Sequence, residues 1–380
     1  MGNIAVSFNN GAVAAAIPTI AQSLNLSDIT VARVVPFYMI PYGLGALLYA
    51  PLTRFFSYRL TLLMAMIVYA IASLAAGLSQ SLNFMLFSLV AAGAAGASST
   101  PLSLMLIGDL FEKNIRGRMI GGFFGLSFLS SLAGMIVMGI FDWRWLFFVP
   151  AVVAAINALS WAALNQKLLN SCHQKNINYI TAFLKPDIRN IFIFIFITSF
   201  LYHGVQKWYG VYLSQEYGFG KELVSFVLIA AALCGLLGQQ IGGFLSDKRG
   251  RLFACYTGLA ILAVGIMLLS GHYPFALLTF VLGLITIGWT VCHNSVSTIL
   301  TDFPDEDRPI MASLNSGVRF VSGGLGFSLS KYFVEKSFSL TFLAFGALIF
   351  LLIFYVKLIL ERSVIKNETT HDIIGGELNG

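Results

Sequence analysis

Charge is what this 380-residue chain has little of: only 11% of its residues are Asp, Glu, Lys or Arg, against about 25% in a soluble domain. Apolar residues make up 57%, and the mean hydropathy is +0.82. That balance excludes a soluble enzyme, a disordered regulator and a nucleic-acid binder. Cysteine is scarce as well, with four residues and no C-x-x-C pair. No disulfide framework, metal site or redox motif follows, and the four read as small apolar fillers. There is no H-E-x-x-H, G-x-S-x-G or paired Asp for a membrane-embedded enzyme. No Walker A motif is present for intrinsic ATP-driven pumping. Neither a metal nor a cofactor is expected.

What is present is apolar length. A spanning helix needs about 20 mainly apolar residues. Runs of that kind lie near 2–24, 34–53, 60–79, 83–107, 118–140, 145–164, 190–213, 223–245, 252–271, 274–300, 310–334 and 339–360. The sequence therefore predicts an all-α membrane protein with twelve transmembrane helices. The longest polar stretch between spans, 165–189, falls near the middle of the chain. It divides a six-helix bundle over 1–164 from a second over 190–360, with a polar cytoplasmic tail over 361–380. Two such halves imply an internal repeat and pseudosymmetry. The apolar start has neither a charged n-region nor an A-x-A site, so it reads as a span and not as a cleavable leader.

The net charge of +6 is explained by orientation. With both termini in the cytoplasm, 16 of the 23 Lys and Arg residues fall in inner loops and the tail. This is the positive-inside bias of an inner (plasma) membrane protein, and needs no acidic partner.

An ionisable residue at membrane depth costs at least about 2.5–3.5 kcal/mol and is a functional candidate by default. All 17 acids fall in loops, the tail or helix ends. The groups inside are His203 and Lys207 in the seventh span, His293 in the tenth and Arg319 in the eleventh. Asn294 neighbours His293, and Asn315 shares a helix face with Arg319 by i, i+4 spacing. Asn9 and Asn10 lie in the first span. Each of these could instead be an internally satisfied interhelical contact, and the Asn residues serve as ordinary glue between helices. Gly121/Gly125 and Gly238/Gly242 have G-x-x-x-G spacing, read as packing within one monomeric bundle before dimerisation.

Four segments carry a family likeness. Gly243-Phe-Leu-Ser-Asp247-Lys-Arg-Gly250-Arg251 resembles the G-x-L-x-D-x-x-G-R loop signature of the major facilitator superfamily. Asp142-Trp-Arg144-Trp-Leu-Phe is similar to the W-R-W-x-F segment of drug/proton antiporter relatives. Asp109-Leu-Phe-Glu-Lys-Asn-Ile-Arg116-Gly-Arg118 resembles their D-x-F…R-G turn, and Ala16-Ile17-Pro18 the end of their first helix. The resemblance implies two rocking halves, with spans one, four, seven and ten lining a central cavity. It would bring His203, Lys207, His293 and Arg319 to one site, with Asn9, Asn10, Ser99 and Thr100 opposite. It also implies a cytoplasmic latch at Asp247, facing the region of Arg116 and Arg118.

The departures from the family pattern carry information too. Asn9 stands where the antiporters have Asp, Leu89 where they have Arg, Ser130-Ser131 where they have Gly-Pro, and Arg54 and Ser57 replace the loop Asp and Gly. The expected function is therefore secondary transport, with export, of a small anionic or amphipathic organic solute. Protons are a candidate coupling ion through His203 or His293. The alternatives are proton-coupled multidrug efflux and a non-transporting sensor or assembly factor on a transporter fold. The swapped loop charge suggests a reversed second latch, with Arg54 and Arg59 facing Asp305 and Asp307. The other reading of that region is a solvated acidic loop.

Overall fold

The computed structural model describes residues 2–164, 179–301, 303 and 308–377, and every described element is helical. The first half begins with α1 (Gly2–Ala15) and α2 (Ile17–Leu24), which meet at a 71° bend. Pro18 causes it, since it cannot donate a backbone hydrogen bond in the first turn of α2. Next come α3 (Asp28–Val31), α4 (Val34–Leu52), α5 (Tyr58–Leu78), α6 (Leu82–Gly96), α7 (Ser99–Leu110), α8 (Lys113–Ile140) and α9 (Trp145–Ala163). Ser57, which stands where the family loop has Gly, is the N-cap of α5 and accepts from the Leu60 amide.

The second half contains α10 (Tyr179–Leu184), α11 (Pro186–Gln206), α12 (Tyr209–Tyr217), α13 (Lys221–Arg249), α14 (Arg251–Leu268), α15 (Phe275–Thr301), α16 (Arg308–Val334) and α17 (Phe338–Glu377). Helix α17 continues to Glu377, through most of the stretch read from sequence as a polar tail. That stretch has no Gly or Pro before Gly375, and nothing in it stops a helix. The second part of the central polar stretch is also helical, as α10 and the start of α11.

Among the described residues, ten helical segments are long and apolar enough to cross a membrane, and the bent α1–α2 pair makes an eleventh. The twelfth predicted span is α16. At 27 residues it is long enough, but its polar side chains keep it below the same threshold. It is held by protein, packing against α4 and α11.

The halves meet along two pairs of helices. Helix α4 lies against α16, and α8 against α13. The first pair touches backbone to backbone: a Cβ on Gly43 would sit 2.7 Å from the Gly317 carbonyl oxygen. Apolar side chains with no covering partner, such as Phe87, Leu159 and Leu358, each more than 70% exposed, cover the outside of the bundle, as expected where lipid is the solvent. Gly238 and Gly242 pack α13 onto α15 within one half, whereas Cβ atoms on Gly121 and Gly125 would meet no heavy atom within 4 Å.

Candidate functional site

Trp289 on α15 organises the cluster. Its indole stacks on Tyr202 of α11, with centroids 3.9 Å apart and planes within 4°. The rings of His203 and His293 lie 5.5 and 5.8 Å from it. The Arg319 guanidinium of α16 sits 5.9 Å from the indole centroid, within cation–π reach. Three helices of the second half thus converge on one indole. Sequence reasoning found the charged members and missed Trp289 and Tyr202. The signal was there in the four-residue spacing of Trp289 and His293, which places them on one face.

Arg319 is 9% exposed and lies about 16 Å along its helix from Arg308. Its Nε donates to Asn315 Oδ1 at 2.6 Å, and its Nη2 has no partner. His203 Nδ1 is likewise buried without a partner. Lys207, 5% exposed, closes the C-terminal end of α11, and its Nζ donates to the Asn10 carbonyl of α1 at 2.6 Å. That bond joins the two halves. Neither Arg319 nor Lys207 has an acidic partner among the described residues.

Beside Lys207 is a cavity of about 30 Å³, lined on the first-half side by Asn9, Asn10, Tyr38, Met39 and Leu89. That is room for a water or two. The two family departures Asn9 and Leu89 therefore flank the same space as Lys207. Asn9 Oδ1 and the Tyr38 hydroxyl are buried there with no partner.

Other expected members lie elsewhere. Asn294 points away, donating to the Gln239 carbonyl of α13 at 2.7 Å; it joins helices within one half. Ser99 and Thr100 donate to Asn3 Oδ1 at 3.4 and 3.1 Å, and not to Asn9 or Asn10. Asn3 in turn donates to Ser127. This forms a separate polar knot in the first half, next to Tyr42, whose ring stacks on Phe320 of α16 at 4.0 Å.

At the turn between α13 and α14, Asp247 is exposed in the last turn of α13, and Gly250 takes φ +86° to start α14. That left-handed value suits glycine. Gly243 lies one turn before Asp247, near Asn294. Ser295 donates to the Arg251 carbonyl, fixing α15 to the start of α14. Asp109 accepts from the Tyr58 hydroxyl at 2.9 Å, within the first half. Arg118 and Arg54 are exposed. The reversed latch needs correction at Arg59. Its guanidinium donates to the Trp161 and Ala162 carbonyls, at 2.9 and 2.5 Å. It neutralises the negative end of α9, in its own half. The side chain of Arg116 and the residues Asp305 and Asp307 lie outside what is described.

Membrane-length helices packed around a buried polar cluster define a polytopic membrane protein. The chain belongs to the Major Facilitator Superfamily, whose family model matches residues 1–326 and 191–375. It is 22% identical over 335 residues to Multidrug resistance protein 3 of Bacillus subtilis (strain 168). That match covers 72% of this chain and 65% of the relative's length. A solved bacterial homologue of the human lysosomal transporter Spinster, inward-facing and unoccupied, superposes with TM-score 0.74 at 14% identity. The superposition covers 96% of this chain and 97% of that one. The nucleoside transporter NupG superposes with TM-score 0.73 at 14% identity, covering 94% and 98%. The chain is an integral membrane protein of this family, and it spans about two thirds of the length of that Bacillus relative.

Proposed function

We propose that the chain moves a small organic anion across the inner (plasma) membrane by alternating access, in the direction of export and as a monomer with both termini cytoplasmic. One observation carries the reading: Arg319 and Lys207 are buried with no carboxylate beside them among the described residues, and Arg319 Nη2 is unpaired there. A buried charge without a counter-charge is costly, and an anionic solute supplies one. Guanidinium suits carboxylate or phosphate through paired N–H donors. The indole face of Trp289 adds an apolar wall for the organic part.

Cation efflux of the multidrug kind fits less well, because Asn9 and Leu89 replace the charged residues of that scheme. Uptake into proteoliposomes separates the two. We expect flux of organic anions such as benzoate, and none of tetraphenylphosphonium. Arg319→Gln should lower anion flux ten- to a hundredfold, the value of a lost charge-assisted hydrogen bond of about 1.5–3 kcal/mol. Flux of the phosphonium with no anion flux would overturn the proposal. A pH gradient that changes the anion rate in wild type, but not in His203→Gln, would identify His203 as the proton-coupling group.

A further inference from the structure

Two of the four cysteines meet inside the bundle. Cys255 of α14 and Cys292 of α15 are both buried, and their sulfur atoms lie 3.7 Å apart, one thiol donating to the other. They stand 37 positions apart in the chain, so no local spacing marks the pair. Glycines bring it together. A Cβ on Gly258 would sit 2.5 Å from the Cys292 nitrogen, and one on Gly288 would sit 2.5 Å from the Leu262 nitrogen. The two helices therefore touch backbone to backbone, one turn from Cys255. Packing calls for small side chains here, and not for sulfur on both helices.

Cys292 also borders the site described above. It precedes His293 and follows Trp289 by one turn. The Arg319 guanidinium is close enough to Cys292 for the two to interact electrostatically. A cation beside a thiol separates reactive cysteines from inert buried ones. Apolar helices surround the pair, so a reagent that reaches it is small and uncharged.

We propose that Cys255 and Cys292 form a redox site, oxidised to a disulfide by an organic hydroperoxide dissolved in the bilayer, and that this bond weakens the anion site beside it. The effect on the anion site rests on the anionic reading above; the disulfide itself does not. The Cys292 sulfur attacks the peroxide, the O–O bond breaks, and an alcohol leaves with the thiol proton. Cys292 is then a sulfenic acid. The Cys255 sulfur attacks it, the S–S bond forms, and hydroxide leaves with the Cys255 proton as water. Two electrons pass from the thiols to the peroxide. Bonding brings the sulfurs to about 2 Å. It therefore moves the Cys292 side chain, and with it the turn of α15 that carries Trp289 and His293.

The test uses the full-length chain in lipid vesicles, with Cys172→Ala and Cys234→Ala so that only this pair can react. After cumene hydroperoxide, the protein is denatured, treated with N-ethylmaleimide and weighed. The expected product is about 2 Da lighter, for two hydrogens lost, and carries no maleimide. Dithiothreitol before the maleimide should restore two adducts. Cys255→Ala should stop at a sulfenic acid on Cys292, trapped by dimedone. Arg319→Gln should slow the oxidation about tenfold, and Arg319→Lys, which keeps the charge and controls for folding, should not. Two adducts after peroxide, or sulfinic acid on either residue, would overturn the redox site. Benzoate affinity, read by calorimetry, should fall about tenfold on oxidation and return with dithiothreitol. A disulfide with unchanged benzoate affinity overturns the link to the anion site. If the reduced chain binds no benzoate, the anionic reading fails, and the mass measurement decides the redox site by itself.

Discussion

At the scale of single residues, charge in an apolar run is the most legible signal. Arg319, Lys207, His203 and His293 stand out because almost nothing else in the spans can ionise. Their helical spacing placed Asn315 beside Arg319, and the 2.6 Å bond between them is as that spacing requires. Partners far away in sequence were not legible. Arg59 finds carbonyls 102 and 103 residues on, and no local pattern foretells that. Trp289 was lost against a background of 33 Phe, where one more aromatic ring carries no mark. Two outcomes follow. Arg59→Gln should lower stability by about 0.3–1 kcal/mol, seen as a lower melting temperature in detergent with unchanged anion affinity. Trp289→Leu should weaken benzoate binding more than acetate binding, by about 0.5–1.5 kcal/mol, read by calorimetry. Equal losses for the two anions would remove the indole from recognition.

Among elements, eleven of the twelve predicted spans satisfy apolar length, because the hydrophobic thickness of a bilayer fixes a helix length that a sequence shows directly. The bends are less direct. Pro18 marks the α1–α2 break, but Pro41 lies inside α4 without ending it, since neighbouring helices and local adjustment re-satisfy the freed groups. Helix contacts depend on where small residues fall. Gly43→Ala would place a Cβ 2.7 Å from the Gly317 oxygen and 2.8 Å from the Val321 nitrogen. Both are backbone atoms and cannot swing aside. The expected cost is about 1–3 kcal/mol, with transport impaired, as measured by melting temperature and uptake together. Gly121→Ala meets nothing within 4 Å and should be neutral or stabilising by up to about 1 kcal/mol. The pair of results would show that helix approach, and not glycine itself, matters at Gly43.

For the whole molecule, a division into two halves is an expectation from sequence, whereas the way distant helices meet is not legible there. The approach of α11 to α1 depends on contacts such as Lys207 to Asn10, which join residues 197 positions apart. Lys207→Met should loosen the contact between α11 and α1, raising the labelling rate of a cysteine placed at Asn10 by a water-soluble thiol reagent. No change in that rate would mean that the other bonds between distant helices, such as Gln215 to Asp28, hold this end together without Lys207. Biogenesis adds one further demand. Helix α16 is more polar than the other spans and falls short of the apolar threshold they meet, yet it must lie across the bilayer for Arg319 to reach the centre. An Arg at mid-helix opposes insertion through the translocon, so α16 cannot enter the lipid as an isolated segment. It must wait for α4 and α11, made earlier on the ribosome, to offer it a surface. The side chain that gives the carrier its charge therefore also makes its assembly depend on the order of synthesis.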